Sequence, residues 1–181
     1  MAYGVVQLLS VAAKDVDAYN KTFIGAADIE NGSVFTLGDA VSGQEDEYAV
    51  VQPATANLAD QHYMAASVNR LVTTINGQKY YNLAQDPRAF INVTGEPIDG
   101  IALKLGDEVR LSSDALAGTY VSSGSVTTHV VATDSAYKLT WATAAISGLS
   151  LKHVRTSYIS IGDAIGSQRV TAYDFIVDAV V

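Results

Sequence analysis

The sequence predicts an all-β or mainly β protein, a small β-barrel or sandwich carrying an extended N-terminal arm. Three observations carry this expectation. Val, Ile and Thr number 46 among 181 residues, against five Glu and 11 Lys plus Arg. Branched side chains suit a pleated sheet, whereas helices lean on Glu, Lys, Arg and Leu. Short apolar runs alternate with Gly, Pro, Asn and Asp turn signals, and no heptad, solenoid repeat or low-complexity tract is present. The length suffices for one sizeable core or two small ones sharing an interface.

The elements follow in chain order. Val5 to Leu9 reads as a short strand. Ala12 to Ala27 carries apolar residues with no sustained period of two or 3.6, leaving room for one helical turn at Asp15 to Tyr19. Asp28 to Ser33 is a turn with Asn31-Gly32 as its left-handed pair, and Val34 to Leu37 is a strand closed by Gly38-Asp39. Residues 1–45 are therefore expected to form an arm with little core of its own, and residues 1–27 to gain order only against a partner chain. The alternative is a first sheet layer of the same domain. Residues 46–181 are expected to be the β-rich body.

In that body, Tyr48 to Gln52 and His62 to Val68 are strand candidates on either side of Pro53. Ala54 to Ala66 competes for part of the second as a turn or two of helix. Leu71 to Ile75, Asn76-Gly77 and Tyr80-Tyr81 make a hairpin signature. Phe90 to Val93 is a short strand bracketed by Pro87 and Pro97. From Ile101 to Leu111, the residues Leu103, Leu105, Val109 and Leu111 share one parity and Lys104, Glu108 and Arg110 the other. Gly106-Asp107 then marks a bulge or tight turn, and all four apolar residues are expected in the core. Thr119 to Ser122, Val126 to Thr133, Tyr137 to Trp141, Leu149 to Ile161 and Arg169 to Val181 complete the strands. Asp163 to Gly166 is a further place for a helical turn. The apolar C-terminus is expected to be tied into a sheet or an interface.

Charge and composition exclude several functions. A net charge of −8 disfavours general nucleic-acid binding and a polybasic membrane anchor. No cysteine is present, so disulfides, thiol catalysis and thiolate metal sites are ruled out. The N-terminal residues lack the basic flank and apolar length of a signal peptide, and the longest uncharged stretch, Ala115 to Thr133, is rich in Ser, Thr and Gly. The chain reads as soluble and made in the cytoplasm. Asn20, Asn31 and Asn92 begin Asn-x-Ser/Thr triplets, expected as chance matches.

No constellation of catalytic, cofactor-binding or metal-ligating residues is legible. His62, His129 and His153 are far apart, each in a strand candidate, and read as structural histidines. Walker, zincin, nucleophile-elbow and dinucleotide motifs are missing, and Gly162 to Gly166 lacks the Lys of a phosphate loop. Glu45-Asp46-Glu47 places adjacent carboxylates on opposite faces of a strand, so a solvated edge is expected, with calcium as the alternative. The pairs Gly38-Asp39, Gly106-Asp107 and Gly162-Asp163 are turn chemistry first. Tyr80-Tyr81, Tyr137 and Trp141, with Gln78, Lys79 and Asn82, have the composition of a sugar-stacking platform, but core or interface packing is the expected use.

Two stretches carry a resemblance. One is Asp28-Ile-Glu-Asn-Gly-Ser-Val-Phe-Thr-Leu-Gly38, with Gly43-Gln-Glu-Asp-Glu-Tyr48 and Pro53 behind it. The other is Gly95-Glu-Pro followed by Ile101 to Leu111 and Ser112-Ser-Asp-Ala-Leu116. Together they resemble small head proteins of tailed bacteriophages over residues 28–116, although Asp99-Gly100 stands where that pattern often has an Arg. The resemblance implies a virion structural protein of the capsid-decoration, or cement, type, and no active site. Its implied partners are the major capsid protein and copies of itself, on the outer capsid surface, with no nucleic acid, membrane, cofactor or enzymatic activity. The alternatives are another phage head or tail component, or a carbohydrate-binding β module.

Overall fold

The computed structural model describes residues 2–44, 46–69, 72–76, 78–81, 86–161 and 168–180. Among them the chain is mainly β, and its helical pieces are three-residue 3-10 turns. The strands are β1 (Val6–Ser10), β2 (Asn20–Ile24), β3 (Val34–Ala40), β4 (Glu47–Val51), β5 (His62–Ala65), β6 (Val72–Ile75) and β7 (Gln78–Tyr81). They continue as β8 (Pro97–Ala102), β9 (Glu108–Ser112), β10 (Leu116–Ala117), β11 (His129–Val131), β12 (Leu139–Ala142), β13 (Ser150–Ile161) and β14 (Gln168–Ala179).

Five of these close a barrel in the order β2-β4-β3-β5-β8, with β2 and β4 parallel. Closure removes the free edges that a small open sheet would expose. Its interior is aromatic. The Phe23 ring lies 4.8 Å from Phe35 and 4.9 Å from Tyr63, centroid to centroid, with Ile29, Ile98 and Ala102 around them. Gly100 faces this cluster, and a Cβ there would overlap the Phe23 ring.

Seven strands form an open sheet in the order β1-β9-β14-β13-β11-β12-β10. Its inner face carries Val109, Leu111, Val130, Leu139, Leu151 and Phe175, all buried. Val34, Met64 and Ile101 from the barrel strands join the same cluster. Barrel and sheet therefore share a core. β6 and β7 pair as a separate hairpin, with Asn76 in the left-handed region (φ 51°) as the turn signal requires. Gly77 of that turn lies outside the described residues.

The first 45 residues, expected as an arm, supply one strand to the sheet and two to the barrel. β1 pairs with β9, and Val6 faces Leu111. β2 sits between β4 and β8, where Phe23 fills the barrel. The absence of period in Ala12 to Ala27 has a physical cause. Two 3-10 turns, Ala12–Lys14 and Asp17–Tyr19, interrupt the chain before β2, and only Phe23 of β2 is fully buried.

The parity reading of Ile101 to Leu111 requires correction at one residue. Leu103, Val109 and Leu111 are fully buried, but Leu105 is 68% exposed. β8 ends at Ala102 in the barrel, and β9 begins at Glu108 in the other sheet. Between them lies a turn, not a bulged strand. Lys104 N–H donates to Asp107 Oδ2 at 2.8 Å, Asp107 N–H donates back to Lys104 O at 3.0 Å, and Gly106 has φ 89°. Leu105 is carried outward by that turn. Phe90 to Val93 is likewise no strand, contributing a single bridge between Ile29 and Asn92, and Thr119 to Ser122 is irregular. In the Asp28 to Ser33 turn only Gly32 is left-handed (φ 86°).

The two longest strands form an unusual ribbon. β13 pairs with β14 from Ser150–Ala179 out to Ile161–Gln168. β11 accompanies β13 only at 129–131, opposite 150–152, and β9 accompanies β14 only up to Ala172. The distal half thus extends past the sheet as two strands. Ile159, Ile161, Val170 and Ala172 bury one of its faces against Val5. The turn at its tip, including Gly162-Asp163 and the expected helical turn there, lies outside the described residues.

Candidate functional site

The histidines are not brought together as a cluster. His62 is buried in β5, and its Nε2 has no hydrogen-bond partner. Desolvation lowers its pKa below the usual histidine range, so the ring is neutral. His153 behaves similarly. Its Nε2 is also unpartnered, and burial lowers its pKa. His129 lies 3.3 Å from Asp178 at the sheet surface. Among the described residues no group of three His, Asp or Glu is placed to hold a metal ion.

The aromatic residues weighed as a sugar platform divide between two cores. Tyr137 packs against the barrel cluster. Trp141 joins Tyr120, His153, Tyr173 and Phe175 on the open sheet, with its centroid 5.0 Å from Tyr120 and 5.1 Å from Tyr173. These rings meet tilted or edge-on, at 47–86° for Trp141 with those two tyrosines, which suits mutual packing. Asn82 and the side chains of Tyr80 and Tyr81 lie outside the described set.

On the opposite face of that sheet is a charged group the sequence did not suggest. Asp174 is nearly buried and accepts from Arg110 Nε at 2.6 Å, from Arg110 at 3.1 Å through its second nitrogen, and from Arg155 Nε at 2.6 Å. Arg110 is its main cause of a lowered carboxyl pKa, with Arg155 adding to it. Register creates this group: Asp174 stands opposite Arg110 in β9 and Arg155 in β13. A β-bulge between His153 and Arg155 brings the latter to the correct face.

The Asn-x-Ser/Thr matches are structural. Asn31 and Asn92 are buried, and their amides bond Ser67 O, Asn69 and Ile29 O. Asn20 donates to Ala13 O.

Two surface grooves are formed among the described residues. The first, about 570 Å³, is lined by Asp17, Lys21, Asp46, Tyr48 and Asp99 on the barrel wall. Lys21 Nζ sits 5.2 Å from the Tyr48 ring centre, and Asp17, Asp46 and Asp99 line the same groove. Of the acidic run, Asp46 lines this groove with φ 64°, Glu47 opens β4 half-buried, and Glu45 lies outside the described residues. The second groove, about 680 Å³, is lined by apolar and polar side chains, the apolar ones exposing the larger share. Phe90, Ile91 and Pro97 line it, and Val68 (69% exposed) and Val93 (52% exposed) stand at its mouth beside Glu96 and Asp99. Composition cannot reveal this patch, because its residues come from three separate loops and strand ends. No protein-family model matches the chain, and no curated protein or solved structure matches it.

Proposed function

We propose that the chain is a structural virion protein that binds the outside of a phage capsid and reinforces contacts between major capsid subunits. It works through buried contact area, not through chemistry. The observation that carries this reading is the mainly apolar groove with Val68 and Val93 exposed at its mouth. An apolar patch rimmed by polar groups is the usual mark of a protein–protein contact. The closed barrel behind it, packed around Phe23 and Phe35, presents that patch on a rigid body, which limits the ordering cost of binding. Glu96 and Asp99 favour an apolar partner surface with basic neighbours. The tailed-phage resemblance spans the residues that build the groove.

The test uses capsid shells lacking this protein. Wild type should co-sediment to saturation and raise the temperature at which shells break, by mass action on the assembled state. Val68→Asp combined with Val93→Asp, both on exposed side chains, should keep the fold and lower occupancy about tenfold or more. Wild type that never pellets with shells would refute the proposal, and binding to glycans alone would favour a carbohydrate-binding module.

A further inference from the structure

The geometry points to the free edge of β13, residues 154–161, as a dimer interface in which two copies pair antiparallel about a two-fold axis at Tyr158. This inference does not depend on capsid binding. An open strand edge is a template for another strand, and proteins normally blunt it with charge, brevity or a covering segment. The other described edges of this sheet are blunted. On β1, Lys14 Nζ donates to Leu8 O at 2.7 Å and Leu9 O at 3.4 Å. β10 is two residues long. Beyond Ala172, the β14 edge is unpaired over only four residues of the strand, 168–171, against eight on β13.

β13 carries only the bulge at Val154, at the start of the stretch. Its last neighbour contact on that side is His153 N–H to Thr128 O at 2.8 Å. Past it, no strand among the described residues runs alongside. The edge reads Val154-Arg-Thr-Ser-Tyr-Ile-Ser-Ile161, without Gly or Pro. Its one charge, Arg155, is turned to Asp174 at 2.6 Å. Val154 and Tyr158 are 60% and 54% exposed.

A second copy fits this edge. With Tyr158 opposite its own equivalent, Thr156 faces the partner's Ser160 and Ser157 faces the partner's Ile159. Arg155 faces the partner's Ile161, and the Arg169 guanidinium lies over the Tyr158 ring, 5.8 Å from its centre. An overlap of residues 155–161 allows roughly six backbone hydrogen bonds. Isologous closure pairs the β13 edges of both copies at once.

The cysteine-free chain makes the test direct. Wild type should sediment as a dimer at about 100 μM. Tyr158→Cys should oxidise to a covalent dimer, whereas Ser160→Cys should not, since two copies of position 160 lie about 13 Å apart in this register. Tyr158→Lys sets two ammonium groups on the axis and should weaken dimerisation about tenfold or more, with an unchanged far-UV spectrum. A monomeric wild type, equal cross-linking at 158 and 160, or a dimer indifferent to Tyr158→Lys would each overturn the inference.

Discussion

Gly100→Ala is the sharpest probe of the barrel. The added methyl points into the barrel core and overlaps the Phe23 ring, with Phe35 next nearest. Phe23 has no exposed surface, and Phe35 and Tyr63 hold it at 4.8 and 4.9 Å. It cannot swing aside without displacing both. Overpacking of a close-packed core costs about 1–3 kcal/mol, and a ring held on two sides places this case near 3. At 2–4 °C per kcal/mol for a chain of this size, Tm should fall by about 6–12 °C. Urea unfolding followed by Trp141 fluorescence and by far-UV dichroism supplies the free energy. Trp141 lies in the open sheet, so coincident curves also test whether sheet and barrel unfold through their shared core. Phe23→Leu in the same chain should relieve the overlap, giving a coupling of about 1 kcal/mol or more. A Gly100→Ala protein within about 0.5 kcal/mol of wild type, or strict additivity with Phe23→Leu, would refute the packing described for the barrel.

Leu103→Ala should cost about 3–5 kcal/mol and Leu105→Ala less than about 0.5, because one is fully buried and the other lies in an exposed turn; equal urea midpoints would contradict the turn at 103–107. Asp174→Ala should cost about 1–3 kcal/mol, since it strips the partly buried Arg110 of its partner, while Arg155→Ala, on a largely exposed side chain, should cost under about 1. His62 and His153 have folded pKa values below the unfolded value of about 6.5; their neutral forms stabilise the fold fully above that pH, and the contribution is lost as pH falls through the folded values. The urea midpoint should therefore drop below pH 6.5, and His62→Gln should flatten part of that slope. Deleting residues 1–27 removes β1 and β2, including Phe23, so the truncated chain should lose the cooperative unfolding transition, contrary to what a detachable arm would show.

Much of the fold was legible where turn residues bound a run of branched side chains. Val34 to Leu37, Leu149 to Ile161 and Arg169 to Val181 fall on β3, β13 and β14, where those two signals agree. Legibility failed where neighbours beyond the sequence window decide the outcome. β2 is recognisable only through its place between β4 and β8, and Leu105 had the right parity for a strand that ends three residues earlier. The surface features were not legible. Asp174 meets Arg110 across 64 positions of sequence, and the groove at Val68 and Val93 joins segments set side by side by barrel closure.

A reconstruction of the intact particle tests the proposed role most directly. The account predicts density for this chain on the outer shell, bridging neighbouring major capsid subunits, with the Val68 and Val93 groove turned toward the shell. Density confined to the tail, or its absence from purified particles, would contradict it.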